Sequence, residues 1–340
     1  MEISGAATPV SSAAPGPVSI AEATAQFIDS LRFQGLAKAT MLKHETLGRQ
    51  LASFASSARI THLVEMGAPN VARFMKTWAD GVLPGKKPEG ALARGKKLER
   101  FRQFLKFAVR RQWIAGDPTA GIKGTKVKHE QTPPFTQNEM TKILAEVDRR
   151  IGEARTAEIR ASAQRSRALV LFLRYSGLRI GDAVGCQIEW VQAGRVRLFT
   201  QKNHRHVDVE LPELVLQVLR TVPPRSDLYW FWTGRSTLKA AVSKWERRLL
   251  AIFGGAGIVG GHAHRFRDTF AVSMLERGET LQAVADALGN TLDVTEKHYN
   301  PWSRLRQSRL DEAVRAGWEN DPVLLQRQGE QARGKFGRPN

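Results

Sequence analysis

SGLRIGD, residues 176–182, directly follows a strongly apolar run that begins at Ser166. That run predicts a buried helix, which ends where Gly177 interrupts it. An Arg at the end of a buried helix, with an Asp nearby to orient it, offers a rigid guanidinium fork to a phosphate group. Arg179 and Asp182 form such a pair. Seen alone, an Arg–Asp pair is more often a structural ion pair, so both interpretations stay open here.

A β-hairpin is predicted C-terminal to this stretch. Apolar residues alternate over residues 195–202 and again over residues 207–211, and Asn203-His204-Arg205 supplies the turn between them. Lys202 lies beside the hairpin tip. A lysine on a short turn can reach into a groove and donate a proton to a leaving oxygen. Most hairpin lysines, however, only keep a sheet edge soluble.

HRFRDTFA, residues 264–271, places His264 and Arg267 on one face of a predicted helix over residues 264–276. Such a pair at a helix start suits an anionic phosphoryl group. The alternative is a surface histidine with a structural arginine. A metal site built from His262 and His264 lacks a third ligand of good type nearby, so no metal is expected.

EKHYNPW, residues 296–302, contains one of the chain's three tyrosines. Tyr175 lies in the apolar run and Tyr229 in an aromatic cluster, so both are predicted to be core residues. Tyr299 has charged and polar neighbours and is predicted to be the most accessible. The free pKa of tyrosine is about 10, so nearby cations would be needed to favour the phenolate.

The rest of the chain predicts two folded units. Helical spacing of apolar residues indicates helices near residues 20–31, 40–54, 70–78 and 91–113, with Thr40 as an N-cap, before a Gly/Pro-interrupted basic stretch. The capping-box pair Thr136 and Glu139 begins the second unit. The predicted organisation is a flexible leader at 1–17, a helical unit at 18–118, a basic linker at 119–134, a mainly helical unit with a small β-sheet at 135–319, and a polar tail at 320–340.

Charge and composition restrict the function. The 340 residues carry a formal net charge of +19, which predicts a polyanionic partner: nucleic acid first, an anionic membrane surface second. The single cysteine, Cys186, excludes an internal disulfide framework. Neither a membrane-spanning run nor a signal peptide is apparent, so we expect a cytoplasmic protein.

Several basic residues are candidates for contact with DNA. A dense basic face on the fourth helix exceeds what solubility needs, although a solvated face is the alternative. The candidates are Lys43, Arg94, Lys96, Lys97, Arg100, Lys123, Lys126 and Lys128.

In chain order, the Arg, Lys, His-x-x-Arg and Tyr motifs resemble the active site of the tyrosine recombinases, the phage-integrase family. SGLRIGD and HRFRDTFA resemble its two arginine signatures, and ALGN with HYNPW resembles its nucleophile segment. KATMLKHETLGRQLASF and FRQFLKFAVRRQWIAGDPTAGIK resemble its helical, SAM-like core-binding domain. The resemblance covers nearly the whole chain. It implies a mainly α fold, with a helical DNA-binding domain and a mixed α/β catalytic domain.

The resemblance also implies an activity. Tyr299 would attack a DNA phosphodiester and form a 3′-phosphotyrosyl bond, without ATP, metal or organic cofactor. Arg179 and Arg267 would hold the non-bridging oxygens, Lys202 would act as general acid, and His264 would contact the phosphate. Asp182 would orient Arg179. The partners implied are duplex DNA and further copies of the chain, as a tetramer on two DNA sites.

One position departs from the family pattern. Asn290 stands where the family usually has His or Trp, and an amide donates hydrogen bonds but cannot be cationic. A lower rate, compensation by His298, or loss of activity all remain open. The other readings are a type IB-like topoisomerase and a non-catalytic DNA-binding regulator on the same fold. An apolar stripe of Leu310, Val314 and Trp318 packs either on the chain itself or on a neighbouring subunit.

Overall fold

The computed structural model describes residues 17–81, 88–124, 133–302 and 304–319. The chain divides into two compact units, Met1–His129 and Glu130–Asn340, each with its own hydrophobic core. The predicted polar tail, nearly all of the predicted leader, and the candidate residues Lys126 and Lys128 lie outside the described residues.

The described part of the N-terminal unit is helical. Its helices are α1 (Ile20–Phe33), α2 (Lys38–Ser57), α3 (Ala68–Asp80) and α4 (Ala91–Arg110), with a short 3₁₀ turn at Leu63–Glu65. The apolar stripe of each helix faces a core rich in aromatic rings, in which Phe74 contacts both Trp78 and Phe101 edge to face.

Two predicted helix ends in this unit were wrong. Thr40 is not an N-cap, because its N–H already donates to the carbonyl of Ala37, where α2 is capped. Helix α4 stops at Arg110 rather than Trp113, since Gln112 adopts a left-handed backbone conformation with φ 60°. Both errors concern local backbone geometry at a terminus, and the helices themselves are confirmed.

The C-terminal unit is mostly helical with one small sheet. Its helices are α5 (Gln137–Gly152), α6 (Ala157–Ser176), α7 (Ile180–Val184), α8 (Glu213–Thr221), α9 (Leu238–Gly255), α10 (His264–Glu276), α11 (Leu281–Leu288), α12 (Leu292–Tyr299) and α13 (Arg304–Glu319). Its strands are β1 (Val191–Gln192), β2 (Arg195–Phe199) and β3 (His206–Glu210). None of the described helices combines the length and hydrophobicity that crossing a bilayer requires.

The predicted hairpin is confirmed as β2 and β3, which pair antiparallel with Val196 opposite Val209 and Leu198 opposite Val207. All four of these side chains are buried against the core of the unit, as the alternation predicts. Strand β1 adds a third, unpredicted strand beside β2, giving the order β1-β2-β3. The mainly α fold with a small sheet is therefore confirmed.

Helix α6 carries the most buried side chains of the described helices and ends at the start of the candidate site. Gly177 caps it in the left-handed conformation, with φ 63°. A Cβ there would lie 2.5 Å from a ring carbon of Phe270 on α10, so only glycine allows the two helices to approach this closely. The close approach brings the residues after α6 next to those of α10.

Candidate active site

Arg267 is the most buried cation of the site, with 1% of its surface exposed. Its Nη1 donates to the carbonyl of Gly177 at 2.8 Å, and its Nη2 donates to the carbonyl of Leu288 at 2.8 Å. These bonds join the end of α6 to the end of α11. Burial, and then the charge of Arg179, lower the pKa of Arg267 to about 10, so it remains a cation at neutral pH.

Asn290 holds both arginines. Its side-chain Oδ1 accepts from Arg179 Nη2 at 2.6 Å and from Arg267 Nη2 at 3.0 Å. Gly289, with φ 59°, turns the chain after α11 so that Asn290 enters this buried position. The amide oxygen, which accepts rather than donates, therefore relieves part of the repulsion between two neighbouring guanidinium groups. We call Arg179, Asn290 and Arg267 the arginine cluster.

Arg179 retains hydrogen-bonding capacity within the arginine cluster. Its Nη1 is buried and has no hydrogen-bond partner in the part of the chain that the structure describes. A buried guanidinium N–H without a partner is costly, and an anion would satisfy it. Arg179 thus has a donor free for a ligand.

Asp182 does not orient Arg179 by a direct hydrogen bond, which corrects the role that the resemblance implied. Its Oδ1 accepts instead from the backbone N–H of Gln201 at 2.9 Å. Its Oδ2 is buried without a partner among the described residues. Asp182 therefore ties the start of α7 to the β2–β3 turn, a long-range contact that sequence spacing does not reveal.

Lys202 is exposed in the turn between β2 and β3. The turn is fixed on both sides of it: the Gln201 N–H is held by Asp182, and the Arg205 guanidinium donates to the Asn290 carbonyl at 3.2 Å. The hairpin is thus anchored to the arginine cluster, while the lysine ammonium remains available to a ligand.

Tyr299 is buried, with 4% of its surface exposed, so the prediction that it is the most accessible tyrosine was wrong. Tyr175 is 37% exposed and Tyr229 is half-buried, which also corrects their assignment to the core. The reason is helical periodicity: residues 296–298 occupy the exposed side of α12, whereas Thr295 and Tyr299 face inward.

The Tyr299 hydroxyl donates to Asp268 Oδ1 at 2.9 Å. Burial and this carboxylate raise the pKa of Tyr299, while the nearby charges of Arg267 and Arg179 act in the opposite direction with smaller effect. The cations needed to favour a phenolate are therefore present. In this arrangement they are outweighed, and the phenol is neutral.

Asp268 is a site residue that sequence reasoning missed. It lies one residue after Arg267 and one helical turn after His264, whose Nε2 is 3.8 Å from Asp268 Oδ1. That i, i+4 spacing within HRFRDTFA was the available signal. The His264 side chain is 56% exposed. Its pKa is nevertheless lowered, mainly by desolvation of the imidazole and also by the charge of Arg267, while the charge of Asp268 acts in the opposite direction.

No group of three or more His, Cys, Asp or Glu side chains within the described ranges is arranged to hold a metal ion. Cys186 is buried, and burial raises the pKa of its thiol, so it is neither nucleophile nor ligand in this arrangement.

The candidate DNA-contact residues of the N-terminal unit differ in position and in exposure to solvent. Lys43, Lys96 and Arg100 line an open groove of about 510 Å³ between α2 and α4. Lys97 also lines it, but its side chain is only 5% exposed, pairs with Glu89 at 2.7 Å and lies over the Trp78 ring. Its assignment to an exposed basic face is therefore corrected. Arg94 is half-buried and Lys123 is exposed.

The fold and the site together define a protein with a helical unit and a second unit in which two arginines meet beside a tyrosine, a combination suited to phosphoryl transfer. Residues 133–303, half of the chain, match the family model described as the phage integrase family. The chain belongs to that family.

Two curated relatives agree with this assignment. Tyrosine recombinase XerC of Lactobacillus delbrueckii subsp. bulgaricus is 23% identical over 209 residues, covering 57% of this chain and 67% of that protein. Tyrosine recombinase XerD of Staphylococcus epidermidis is 26% identical over 216 residues, covering 58% and 68%.

Two solved structures share the fold. A lambda integrase dimer bound to a COC′ core site matches with a TM-score of 0.64 at 13% identity, over 83% of this chain and 77% of that one. The XerH recombinase bound to its difH substrate matches with a TM-score of 0.59 at 17% identity, over 87% and 84%.

Proposed function

We propose that this protein is a site-specific DNA recombinase that cleaves and rejoins duplex DNA through a 3′-phosphotyrosyl intermediate at Tyr299. The observation that carries the proposal is the arginine cluster, with the free Nη1 of Arg179, in the same unit as a tyrosine whose hydroxyl is held by the Arg267–Asp268 helix. Its membership of the phage integrase family and its likeness to recombinases solved with DNA support the same activity.

The proposed reaction is a transesterification at phosphorus. The Tyr299 oxygen bonds to the scissile phosphorus, the bond from phosphorus to the 5′ oxygen breaks, and Lys202 gives that oxygen its proton. Asp268 is the nearest acceptor for the phenolic proton, at 2.9 Å. Arg179 and Arg267 stabilise the charge on the non-bridging oxygens, and His264 contacts the phosphate. The cations supply the charge stabilisation that a metal ion provides in other phosphoryl-transfer sites.

Asn290 acts in this scheme by positioning the guanidinium groups. Its Oδ1 accepts a hydrogen bond from both arginines. The two guanidinium groups are therefore held side by side before a phosphate binds. A His or Trp at this position would donate a hydrogen bond instead. The departure from the family pattern therefore replaces a hydrogen-bond donor with an acceptor that holds Arg179 and Arg267 in position.

The proposed partners are duplex DNA and further copies of the chain. The helical unit at 18–118 and the linker at 119–134 would contact the DNA backbone, the unit at 135–319 would carry out catalysis, and phosphate contacts would dominate the affinity. A lambda integrase tetramer bound to a Holliday junction shares the fold, with a TM-score of 0.62 at 14% identity. Exposed Val314 and Trp318 on α13 offer an apolar surface for a neighbouring subunit.

The decisive experiment is covalent trapping on a nicked suicide duplex carrying the recombination site, in which the cleaved strand end diffuses away. An SDS-stable protein–DNA adduct supports the proposal. A protein that binds the duplex without forming an adduct is the non-catalytic regulator. Relaxation of a plasmid without the site, by a protein that forms the adduct, indicates the topoisomerase.

Lys202→Ala is expected to slow cleavage of an ordinary phosphodiester by about 10²-fold or more, the usual size of a general acid's contribution. A 5′-thio leaving group needs no proton, so cleavage of that substrate should change little. Single-turnover rates on the two substrates check this. Lys142→Ala, an exposed lysine on α5, is the matched control and should leave both rates unchanged. Equal slowing of both substrates by Lys202→Ala would remove the general-acid role.

Lys96→Ala and Lys97→Ala are expected to differ, although the residues are adjacent. Lys96 is exposed, so its removal should weaken DNA binding and reduce the slope of log affinity against log salt by about 1. Lys97 is buried against Glu89 and Trp78, so its removal should lower the unfolding temperature. Fluorescence anisotropy at several salt concentrations and thermal unfolding test the pair. Identical profiles for the two variants would contradict this distinction.

A further inference from the structure

Besides the arginine cluster, the C-terminal unit contains a basic pocket near the start of α6. It has a volume of about 290 Å³ and is enclosed by α6, the loop before α9, and α9 itself. Four cations line it: Arg165, Arg225, Lys244 and Arg248. We call it the α6–α9 pocket.

The α6–α9 pocket is separate from the arginine cluster. Arg165 lies about three turns before Ser176, where α6 ends, which places it about 16 Å along the helix axis from that end. Arg179 lies beyond that end. None of the residues lining the pocket belongs to the site already described.

The protein neutralises only part of the positive charge of the pocket. Glu158 is the one carboxylate in its lining, and none of the four cations forms an ion pair in the described part of the chain. Burial, followed by the charges of Arg225 and Arg248, lowers the pKa of Arg165, while the charge of Glu158 acts in the opposite direction with smaller effect. Burial and Arg225 likewise lower the pKa of Arg248. Like charges facing one cavity repel, and an anion in the cavity would relieve that repulsion.

Arg165 supplies an unsatisfied donor at this pocket. It is only 5% exposed, and its Nε is buried without a hydrogen-bond partner among the described residues. Its Nη1 donates to the carbonyl of Pro223 at 3.2 Å, which fixes the guanidinium plane. A buried, oriented and incompletely paired guanidinium is the group that binds phosphate oxygens in proteins.

The rest of the lining suits an oxyanion. The Arg248 guanidinium stacks over the Trp245 ring, with its central carbon 4.7 Å from the ring centroid, so its direction is fixed. Ser162, Thr233 and Ser236 add hydroxyl groups at the pocket wall, and a hydroxyl can donate a hydrogen bond to an anion.

We propose that the α6–α9 pocket is a second phosphate-binding site, which takes a phosphate group either from the DNA backbone outside the cleavage point or from a free phosphorylated ligand. Arg165 is its buried anchor, and Arg225, Lys244 and Arg248 surround the bound group. Binding of a DNA-backbone phosphate rests on the proposed function, whereas binding of a free phosphorylated ligand does not.

The test compares two double variants of the full-length protein. Arg225→Gln/Arg248→Gln removes two pocket cations. Arg235→Gln/Arg247→Gln removes two exposed cations from the same loop and the same helix that do not line the pocket, so the change in net charge is equal. All four substituted residues are solvent-exposed, although Arg248 is partly covered where it stacks on Trp245, and circular dichroism verifies that each variant is folded.

The first arm titrates inorganic pyrophosphate by calorimetry. If the site takes free phosphates, the pocket variant should bind pyrophosphate at least about tenfold more weakly than the wild type, and the control variant should bind it as the wild type does. The second arm measures affinity for a mixed-sequence duplex against salt. If the site takes a backbone phosphate, the slope should fall by about 1 more in the pocket variant than in the control.

Either difference supports the second phosphate site and identifies its source. If both variants behave alike in both arms, the proposal is overturned. A wild-type protein that does not bind the duplex at all would contradict the proposed function, and the pyrophosphate arm alone would then decide the pocket.

Discussion

Tyr299→Phe is expected to abolish the covalent protein–DNA adduct while DNA binding is retained. The change removes only the hydroxyl, so the ring keeps its packing against the cluster formed by α10 and α11, in which Val284 and Leu288 are buried. The lost hydrogen bond to Asp268 should cost about 1 kcal/mol of unfolding free energy. SDS gels of the suicide-substrate reaction, together with a gel-shift titration, measure adduct and binding separately.

Tyr175→Phe is the matched control for that variant. It removes the same atom from a tyrosine that is 37% exposed on α6, and it should form the adduct at the wild-type rate. An SDS-stable species from Tyr299→Phe would assign the nucleophile to another residue. Loss of the adduct in both variants would show that the assay reports something other than the Tyr299 hydroxyl.

The resting position of Tyr299 has a mechanistic consequence. The phenol is buried, is hydrogen-bonded to a carboxylate and has a raised pKa, so it is a poor nucleophile in the DNA-free protein. In the proposed reaction, the phenol gives its proton to Asp268, and its oxygen then leaves that carboxyl group for an in-line approach to phosphorus. The Arg267 and Arg179 charges already oppose the rise in pKa, so separation from the carboxylate would favour the phenolate.

The elements were predictable where the sequence pattern and the local chemistry agree. Helix α10 has the bounds expected from HRFRDTFA and Gly278, and the hairpin register follows from the alternation of Val and Leu on β2 and β3. Strand β1 was missed because two residues contain no periodicity. The error at Thr40 arose because a residue type favoured at N-caps is also tolerated inside the first turn.

The site was predictable as a set of residues but not as a set of contacts. Arg179, Asn290 and Arg267 could be chosen from motifs, but the acceptor role of Asn290 depends on how α7, α10 and the end of α11 meet. The burial of Tyr299 was hidden because its neighbours in sequence are polar, while its ring packs in space against an apolar cluster from α10 and α11. Lys97 gave the opposite error, since its partner Glu89 lies before the start of α4, outside the helical pattern from which the basic face was predicted.

Arg267→Lys and Arg179→Lys are expected to reduce cleavage to a similar extent but to differ strongly in stability. In the proposed mechanism each substitution removes a guanidinium from the transferring phosphoryl group, which should cost about 10²–10³ in rate. Single-turnover cleavage on the suicide duplex measures this loss. Lysine keeps the positive charge, so long-range attraction for DNA should persist in both variants.

The difference in stability follows from what each guanidinium holds in the folded protein. Arg267 donates to the carbonyls of Gly177 and Leu288 as well as to Asn290, and a single ammonium cannot replace that planar set of donors. Each carbonyl left without a partner in the core costs about 1–3 kcal/mol, so Arg267→Lys should lower the unfolding temperature clearly. Arg179 makes one such bond, to Asn290, and Arg179→Lys should unfold close to the wild-type temperature. Thermal unfolding without DNA tests this independently of any activity: equal midpoints for the two variants would show that Arg267 does not join α6 to α11, and rapid cleavage by either would remove that guanidinium from the reaction.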